Sequence, residues 1–222
     1  MLKLYGYFRS SASYRVRIAL NMKRLDYEQA SIHLAKGRQY APEFSQVSPQ
    51  NLVPVLEHDG QRLYQSLAII EYLDEKFPQP AFLPKDAPGS NRVRSLALII
   101  ACEIHPLNNT RVLAYLTDTL KLTDEQKSAW YRHWVTVGFT AIEKRLATEK
   151  QTGRFCHGTN RVSPISCWCR KWPMPIASRS TSIRFPPSGA SMTSASSSSL
   201  SRRRCRRISP TLNDTDRSLD RR

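Results

Sequence analysis

The sequence predicts two domains, an α/β domain over residues 1–82 and an all-α domain over residues 88–158. Three observations support this division. Strand-like runs and helical periods alternate through residue 87, prolines cluster at the junction, and helical periodicity then continues to about residue 150. Apolar residues at three- and four-residue spacing indicate amphipathic helices, whereas short β-branched and aromatic runs between turn residues indicate strands. The 222 residues are enough to bury a substantial core.

The α/β part contains four predicted strands and two predicted helices. In chain order they are a strand at 2–8, a helix at 13–23, a strand at 29–34, a hairpin at 52–66 and a helix at 67–77. The hairpin prediction rests on the Asp59–Gly60 turn, and Ser66 is placed to cap the helix that follows. A β-α-β unit followed by a hairpin and a helix is the order of a thioredoxin-like domain.

The all-α part begins after Pro78, Pro80 and Pro84 have interrupted the periodic pattern. Residues 92–120 are apolar along one face and predict one long helix. The segment from Thr123 to Gln126 has the form of a capping box and predicts the start of a second helix, over 126–147.

The net charge of +16 is unevenly distributed along the chain. Residues 1–158 hold 21 Lys and Arg against 15 Asp and Glu, whereas residues 159–222 hold 13 against 3 and include 15 serines. The basic excess therefore belongs to the C-terminal tail. We expect no nucleic-acid partner, because the patterned part of the chain carries little of the charge that phosphate binding requires.

The sequence favours a cytoplasmic protein without a membrane partner. No run of about 18 apolar residues occurs, and the N-terminus lacks the apolar region of a signal peptide. In that compartment the five cysteines are expected to be thiols. Cys167 and Cys169 form a single C-x-C pair without a second pair or a nearby histidine, so we expect no metal site.

Four segments carry a resemblance to a known family. Phe8 to Leu20 reads FRSSASYRVRIAL and resembles the signature of the zeta-class glutathione transferases, whose common form is SSCSWRVRIAL. Leu52–Leu56 (LVPVL), Gln65–Leu73 (QSLAIIEYL) and Glu103–Asn109 (EIHPLNN) also match, in the same order along the chain. The resemblance covers residues 1–158 and implies the glutathione transferase fold, with a thioredoxin-like domain followed by an all-α domain.

The resemblance implies glutathione as cofactor. Ser10 and Ser11 lie where a strand ends and a helix begins, and hydroxyl groups beside free helix N–H groups can hold a thiolate. The alternative is that these serines only cap the helix. Ala12 stands where the family often has cysteine, so the reactive sulfur is expected to be that of glutathione.

The resemblance also implies a wider set of glutathione contacts. Val53 precedes the proline that matches the cis-proline of thioredoxin-like folds, and Ser66 opens a helix whose N–H groups suit the γ-glutamyl carboxylate. His105 and Asn109, four residues apart, are expected on one face of the first long helix. The implied set is Ser10, Ser11, Ala12, Ser13, Tyr14, Arg15, Gln39, Val53, Gln65, Ser66, His105, Asn109, Thr110 and Arg111. Plain alternatives remain open: Ser66 as a simple cap, Gln39 as a surface residue and His105 as a structural histidine.

The family implies glutathione-dependent cis–trans isomerisation of maleylacetoacetate to fumarylacetoacetate, a step of phenylalanine and tyrosine catabolism. Rotation about a carbon–carbon double bond requires that its double-bond character be broken, and addition of a thiolate does this. Ser10 and Ser11 would hold the thiolate, and Arg9 and Arg111 would hold the small diacid substrate. The resemblance also implies a homodimer, provided that the all-α domain is intact.

The resemblance ends abruptly at Gly158. Taken at face value, residues 159–222 form a disordered Ser/Arg-rich tail. Back-translation of Pro164–Pro175 with each codon read from its third base can give DILLVPQVANA, which is similar to the helix that the family has there. We therefore interpret residues 159–222 as frame-shifted, with the all-α domain left incomplete.

Other functions remain open at this point. Maleylpyruvate isomerase acts on a smaller diacid and uses the same motifs, and a general glutathione transferase or peroxidase would share the cofactor site. An Arg/Ser-rich nucleic-acid binder would use the tail. An inactive, frame-shifted product is a further alternative.

Overall fold

The computed structural model describes residues 1–158. The prediction of a frame-shifted, disordered tail concerns residues 159–222 and lies outside the described residues. No helix within the described part is long and apolar enough to cross a membrane.

The first half of the chain forms a four-stranded mixed sheet. Its strands are β1 (Leu2–Gly6), β2 (Tyr27–Ser31), β3 (Val55–His58) and β4 (Gln61–Tyr64), in the spatial order β2-β1-β3-β4. Strand β1 pairs in parallel with β2 and antiparallel with β3, and β3 pairs antiparallel with β4. This is the predicted thioredoxin-like arrangement, and that prediction is confirmed.

Two helices pack together beside this sheet. Helix α1 (Ser11–Lys23) returns the chain from β1 to its parallel neighbour β2, and α3 (Ser66–Lys76) follows the hairpin. A short helix α2 (Pro42–Ser45) and two 3₁₀ turns, Leu34–Lys36 and Arg38–Tyr40, lie between β2 and β3. The fully buried core is made of Leu4, Val16, Ala19, Leu20, Leu56, Ile69 and Leu73.

The connections around the hairpin follow the sequence closely. Asp59 and Gly60 both have positive φ, at 50° and 80°, and join β3 to β4 as the sequence predicts. The Val53–Pro54 bond is cis, which confirms that expectation, and Gln79–Pro80 is cis as well. Helix α3 begins at Ser66 with Gln65 as its N-cap, so the prediction that Ser66 is the capping residue is wrong.

The second half is helical, but the predicted single helix over 92–120 is wrong. The chain instead forms α4 (Ala87–Leu98), a π-helical segment (Ile99–Ile104), a turn and α5 (Thr110–Ala114), which continues into a second π-helical segment (Tyr115–Thr119). The turn contains Pro106, which has no N–H for the helical ladder and whose ring collides with the preceding turn. Apolar periodicity continues across this break, which is why the sequence alone did not reveal it.

The last described helix starts as predicted. Helix α6 (Asp124–Thr148) opens with a complete capping box: Thr123 Oγ1 accepts from the N–H of Gln126, and Gln126 Oε1 accepts from the N–H of Thr123. The predicted end at 147 is one residue short of the observed end, which lies within the usual fraying of helix termini.

Candidate functional site

The N-terminus of α1 follows directly from the end of β1 and presents two serines. Ser10 is the N-cap, and its Oγ accepts from the N–H of Ser13 at 3.2 Å. The plain capping role is therefore real, but the hydroxyl hydrogen of Ser10 is still available to donate. Ser11 is the first residue of the helix and is half-buried. Both hydroxyls thus lie where unpaired helix N–H groups attract negative charge.

The neighbouring candidates divide into core and surface residues. Ala12 and Ser13 are buried, and Ser13 Oγ accepts from the N–H of Tyr7 at 3.4 Å, so both support the fold around the site. Tyr14 is half-buried, with the guanidinium of Arg17 5.5 Å from its ring. Arg9 is exposed and makes no hydrogen bond or ion pair to any residue that the structure describes.

A second helix start, that of α3, has a backbone and side chains suited to an anion. Gln65 has φ 64° and ψ 115°, an unusual conformation for a residue with a side chain, and gives α3 no side-chain cap. Its Nε2 instead donates to Gln50 Oε1 at 3.1 Å. The first N–H groups of α3 therefore have no capping side chain, whereas those of α1 are capped by Ser10.

Arg15 and Ser66 join the two helices beneath this point. Arg15 Nε and Nη2 both donate to Ser66 Oγ, at 3.2 and 2.9 Å, and both residues are buried. Burial lowers the pKa of Arg15 to about 10, and the neighbouring Cys102 opposes that shift. Arg15 therefore remains a cation at neutral pH.

His105 also lies near this cation. Burial and then the charge of Arg15 lower the pKa of His105 to about 4, so the imidazole is neutral at pH 7. His105 lies in the turn after the first π-helical segment. Arg15 thus joins α1 to α3 through Ser66, and its charge acts on His105 in the helical half of the chain.

Asn109, Thr110 and Arg111 do not share a helix face with His105, because the chain breaks between them. Asn109 is the N-cap of α5, and its Oδ1 accepts from the N–H of Arg111 at 3.2 Å and from Thr110 Oγ1 at 3.5 Å. The side chains of Thr110 and Arg111 are exposed. The expectation of one continuous face is wrong, whereas the binding roles of these residues remain predictions.

Two further candidates lie in the loops beside the sheet. Gln39 belongs to the second 3₁₀ turn, and its Oε1 is buried without a hydrogen-bond partner among residues 1–158. A buried acceptor of this kind is costly unless a ligand or water satisfies it. Val53 is half-buried and precedes the cis Pro54.

One group of aromatic side chains next to Arg9 in the chain could not be predicted from the sequence. Tyr7, Phe8 and His33 form a ring cluster, with centroid separations of 4.7 Å for Tyr7–Phe8 and 5.2 Å for Tyr7–His33. Arg17 Nη2 donates to the carbonyl of Phe8 at 3.1 Å and so holds the loop that carries Arg9. These contacts join residues up to 26 positions apart, and only the folded chain reveals them.

Within the described residues, no cluster of three or more His, Cys, Asp or Glu side chains could hold a metal ion. Cys102 is an exposed free thiol.

Comparison with known proteins identifies relatives across the described part. The family described as "Glutathione S-transferase, N-terminal domain" matches residues 4–81. A probable maleylacetoacetate isomerase from Vibrio cholerae is 50% identical over 166 residues, covering 74% of this chain and 76% of the relative. A maleylpyruvate isomerase from a Ralstonia species is 41% identical over 186 residues, covering 84% and 86%.

Solved structures of similar proteins agree with these matches. The holo structure of a zeta-class maleylpyruvate isomerase superposes with a TM-score of 0.72 at 41% identity, covering 78% of this chain and 87% of that one. A maleylacetoacetate isomerase from Methylobacterium extorquens, crystallised with malonate and glutathione, also gives a TM-score of 0.72. It is 40% identical and covers 76% of this chain and 81% of its own.

Proposed function

Because this chain belongs to the zeta class of the glutathione transferase family, we propose that it is an enzyme that uses glutathione to isomerise maleylacetoacetate to fumarylacetoacetate. The observation that carries this proposal is the 50% identity to the Vibrio cholerae relative over three quarters of both chains. The test is conversion of maleylacetoacetate by the purified 222-residue chain with and without glutathione. Equal rates under both conditions, in the soluble chain and in a version with the reading frame restored after Gly158, would refute the proposal.

The described residues fit glutathione as a ligand. The start of α3 suits the γ-glutamyl carboxylate, because helix N-termini bind anions and this one has no side-chain cap. Ser66 is its first residue, and Arg15 donates to the Ser66 hydroxyl. The partnerless Oε1 of Gln39 is an acceptor for a ligand N–H, and the backbone of Val53 beside the cis-proline suits a peptide ligand. Ser10 and Ser11 would face the thiol. His105, Asn109, Thr110 and Arg111 would approach from the helical half.

Bound glutathione supplies a thiolate that adds reversibly to the double bond and so permits rotation about it. Ser10 and Ser11 stabilise negative charge at that sulfur through their hydroxyls and the N–H groups of α1. Arg9 and Arg111 are exposed cations that hold the two carboxylates of the substrate and the negative charge that develops on its carbonyl oxygen. His105 is neutral at pH 7 and contributes a polar ring without adding positive charge.

Maleylpyruvate is the second candidate substrate. The alignment with the Ralstonia maleylpyruvate isomerase supports this candidate. It covers 84% of this chain, against 74% for the Vibrio cholerae relative, although at the lower identity of 41%. Both substrates are diacids with a carbonyl group conjugated to a cis double bond, so the same residues would serve either. Competition between the two substrates in one assay, followed by product separation, measures the preference directly.

The further partner that we propose is a second copy of this chain, provided that the all-α part is complete. A cavity of about 240 Å³ lies between α3 and α4, lined mainly by apolar side chains that include Leu67, Ile70, Phe82, Val93 and Leu98. Leu98 is exposed, as expected for a residue that a partner would cover. Sedimentation equilibrium would test this, since a monomer at all concentrations contradicts it. We propose a cytoplasmic location, with neither nucleic acid nor membrane as a partner.

The division into domains at 1–82 and 88–158 and the shifted frame of residues 159–222 are also proposals. The back-translated segment Pro164–Pro175 supports the shifted frame. Sequencing of the DNA around the codons for Cys156 to Thr159 would decide the matter.

A further inference from the structure

Arg15 is a buried cation that directs two of its donors to a single neutral oxygen. Only 3% of its surface is exposed, and both Nε and Nη2 donate to Ser66 Oγ, at 3.2 and 2.9 Å. The two residues are 51 positions apart, on α1 and α3. A guanidinium presents its donors in a rigid planar fork, and here two of those donors meet one hydroxyl.

This contact determines what the Ser66 hydroxyl can do. A serine hydroxyl has two acceptor lone pairs and one hydrogen. Two donors from Arg15 take up both acceptor positions, so the hydrogen of Ser66 is left to donate. Within the described residues, the hydrogen bonds of Ser66 Oγ are the two that it accepts from Arg15. Ser66 is only 6% exposed, so a donor without an acceptor would be costly there.

The surroundings favour an anion as the missing acceptor. Ser66 is the first residue of α3, whose leading N–H groups have no side-chain cap and carry the positive end of the helix dipole. The guanidinium of Arg15 adds a full positive charge beneath the same point. Hydrogen bonds from hydroxyl and backbone donors to a carboxylate are stronger than those to a neutral acceptor.

We infer that Arg15 is a positioning residue of the glutathione site, which acts through Ser66 by making its hydroxyl an obligatory donor to the α-carboxylate of the γ-glutamyl group. This inference rests on the proposed use of glutathione. In this role Arg15 differs from residues that touch the ligand, because its guanidinium is buried and donates to Ser66.

The test compares two ligands that differ in one group. Glutathione carries the α-carboxylate, and 4-aminobutanoyl-Cys-Gly lacks only that group. Calorimetric dissociation constants for both ligands are measured with the unchanged 222-residue chain and with Arg15→Met, which keeps an unbranched side chain without donors or charge. The unchanged chain should prefer glutathione by on the order of 10- to 100-fold, and Arg15→Met should lose most of that preference. Affinity for the carboxylate-free ligand should stay the same, which also shows that the variant is folded.

Ser66→Ala separates positioning from a direct effect of charge. Alone it should remove the same preference, and in the Arg15→Met background it should cause no further loss, because both changes break one chain of contacts. Independent, additive losses would overturn the inference. Arg17→Met is the matched control. It removes a cation from the same helix, but Arg17 Nη2 donates to the carbonyl of Phe8, so the preference should persist.

Other outcomes are equally decisive. If the unchanged chain binds glutathione with the preference and Arg15→Met keeps it, the inference fails and the proposed function stands. If the unchanged chain is soluble and folded, as circular dichroism would show, and binds neither ligand, both fail together. Should Arg15→Met not fold, Arg15→Lys retains the charge but cannot direct two donors in a fork, and a preference equal to that of the unchanged chain would overturn the inference.

Discussion

The ammonium of Lys23 and the carboxylate of Asp74 lie 2.6 Å apart and form an ion pair in which the lysine side chain is fully buried. Lys23 Nζ also donates to the carbonyl of Pro80 at 2.7 Å and lies 4.1 Å from the centre of the Phe82 ring. Asp74 in turn accepts from the N–H of Phe82. One ion pair thus joins α1, α3 and the proline-rich segment that leads to the helical half.

Removing the anion from this pair should destabilise the protein strongly. Asp74→Asn leaves a buried ammonium without a counter-charge, and breaking buried pairs in this way costs about 3–5 kcal/mol. Urea denaturation followed by circular dichroism measures the loss. Glu125→Gln is the control, because it breaks the exposed pair with Arg132 and should change the free energy of unfolding by under ~1 kcal/mol. Similar losses for both variants would contradict the role assigned to Asp74.

Replacing both serines at the start of α1 should raise the pKa of the bound glutathione thiol. Ser10→Ala with Ser11→Ala removes the hydroxyls, so less thiolate exists at neutral pH and turnover falls. An ultraviolet titration of the bound thiolate measures the shift. Ser10→Ala alone also removes the helix cap, at about 1 kcal/mol, so the titration must be made on protein shown to be folded. An unchanged thiol pKa in the double variant would remove both serines from this role.

Arg9 and Arg111 should matter for diacids and little for neutral electrophiles. Arg9→Ala or Arg111→Ala removes one charge-assisted contact, about 1.5–3 kcal/mol, so kcat/KM for maleylacetoacetate should fall on the order of 10- to 100-fold. Conjugation of a neutral electrophile by the same variants is the comparison. Equal losses on the two substrates would assign the arginines to glutathione binding or folding.

Protonation of His105 should make the protein less stable in acid. Burial and Arg15 hold the pKa of His105 near 4 in the folded protein, against about 6.5 when unfolded. Between these values the unfolded chain binds the extra proton, so the free energy of unfolding falls as pH drops from about 6.5 to 4. At pH 5 the loss is roughly 2 kcal/mol. His105→Gln should lose this component, and denaturation curves at pH 7.5 and 5 measure it. An equal pH dependence in both proteins would mean that His105 titrates normally.

Restoring the reading frame after Gly158 should raise the activity. In the family this segment is an apolar helix of the all-α domain, and each buried side chain lost there removes about 1.5–3 kcal/mol of stability, against a total of roughly 5–15. The chain as it stands should therefore aggregate or turn over slowly compared with the frame-restored protein. Full isomerase activity and a single cooperative melting transition in the unaltered chain would refute the frameshift interpretation.

Local signals in the sequence were sufficient for much of the first half. The Asp59–Gly60 turn, the alternating strands and the helix after Ser10 depend on neighbouring residues, so their positions follow from short-range sterics and periodicity. The capping box at Thr123 is equally local, and it was confirmed. The break near Pro106 was missed, because apolar spacing on either side hides a turn that the proline imposes.

The sequence by itself determined the fold class, the family and which residues are candidates for binding glutathione. Only the tertiary structure decided what those candidates do to one another. In the folded chain Ser66 accepts two hydrogen bonds from Arg15 and does not cap its helix, and Lys23 forms an ion pair with Asp74. Each contact joins residues that are 51 positions apart in the sequence. The physical reason is that motifs and periodicity record short-range geometry, whereas burial, pKa and hydrogen-bond polarity depend on which distant side chains the folded core brings into contact.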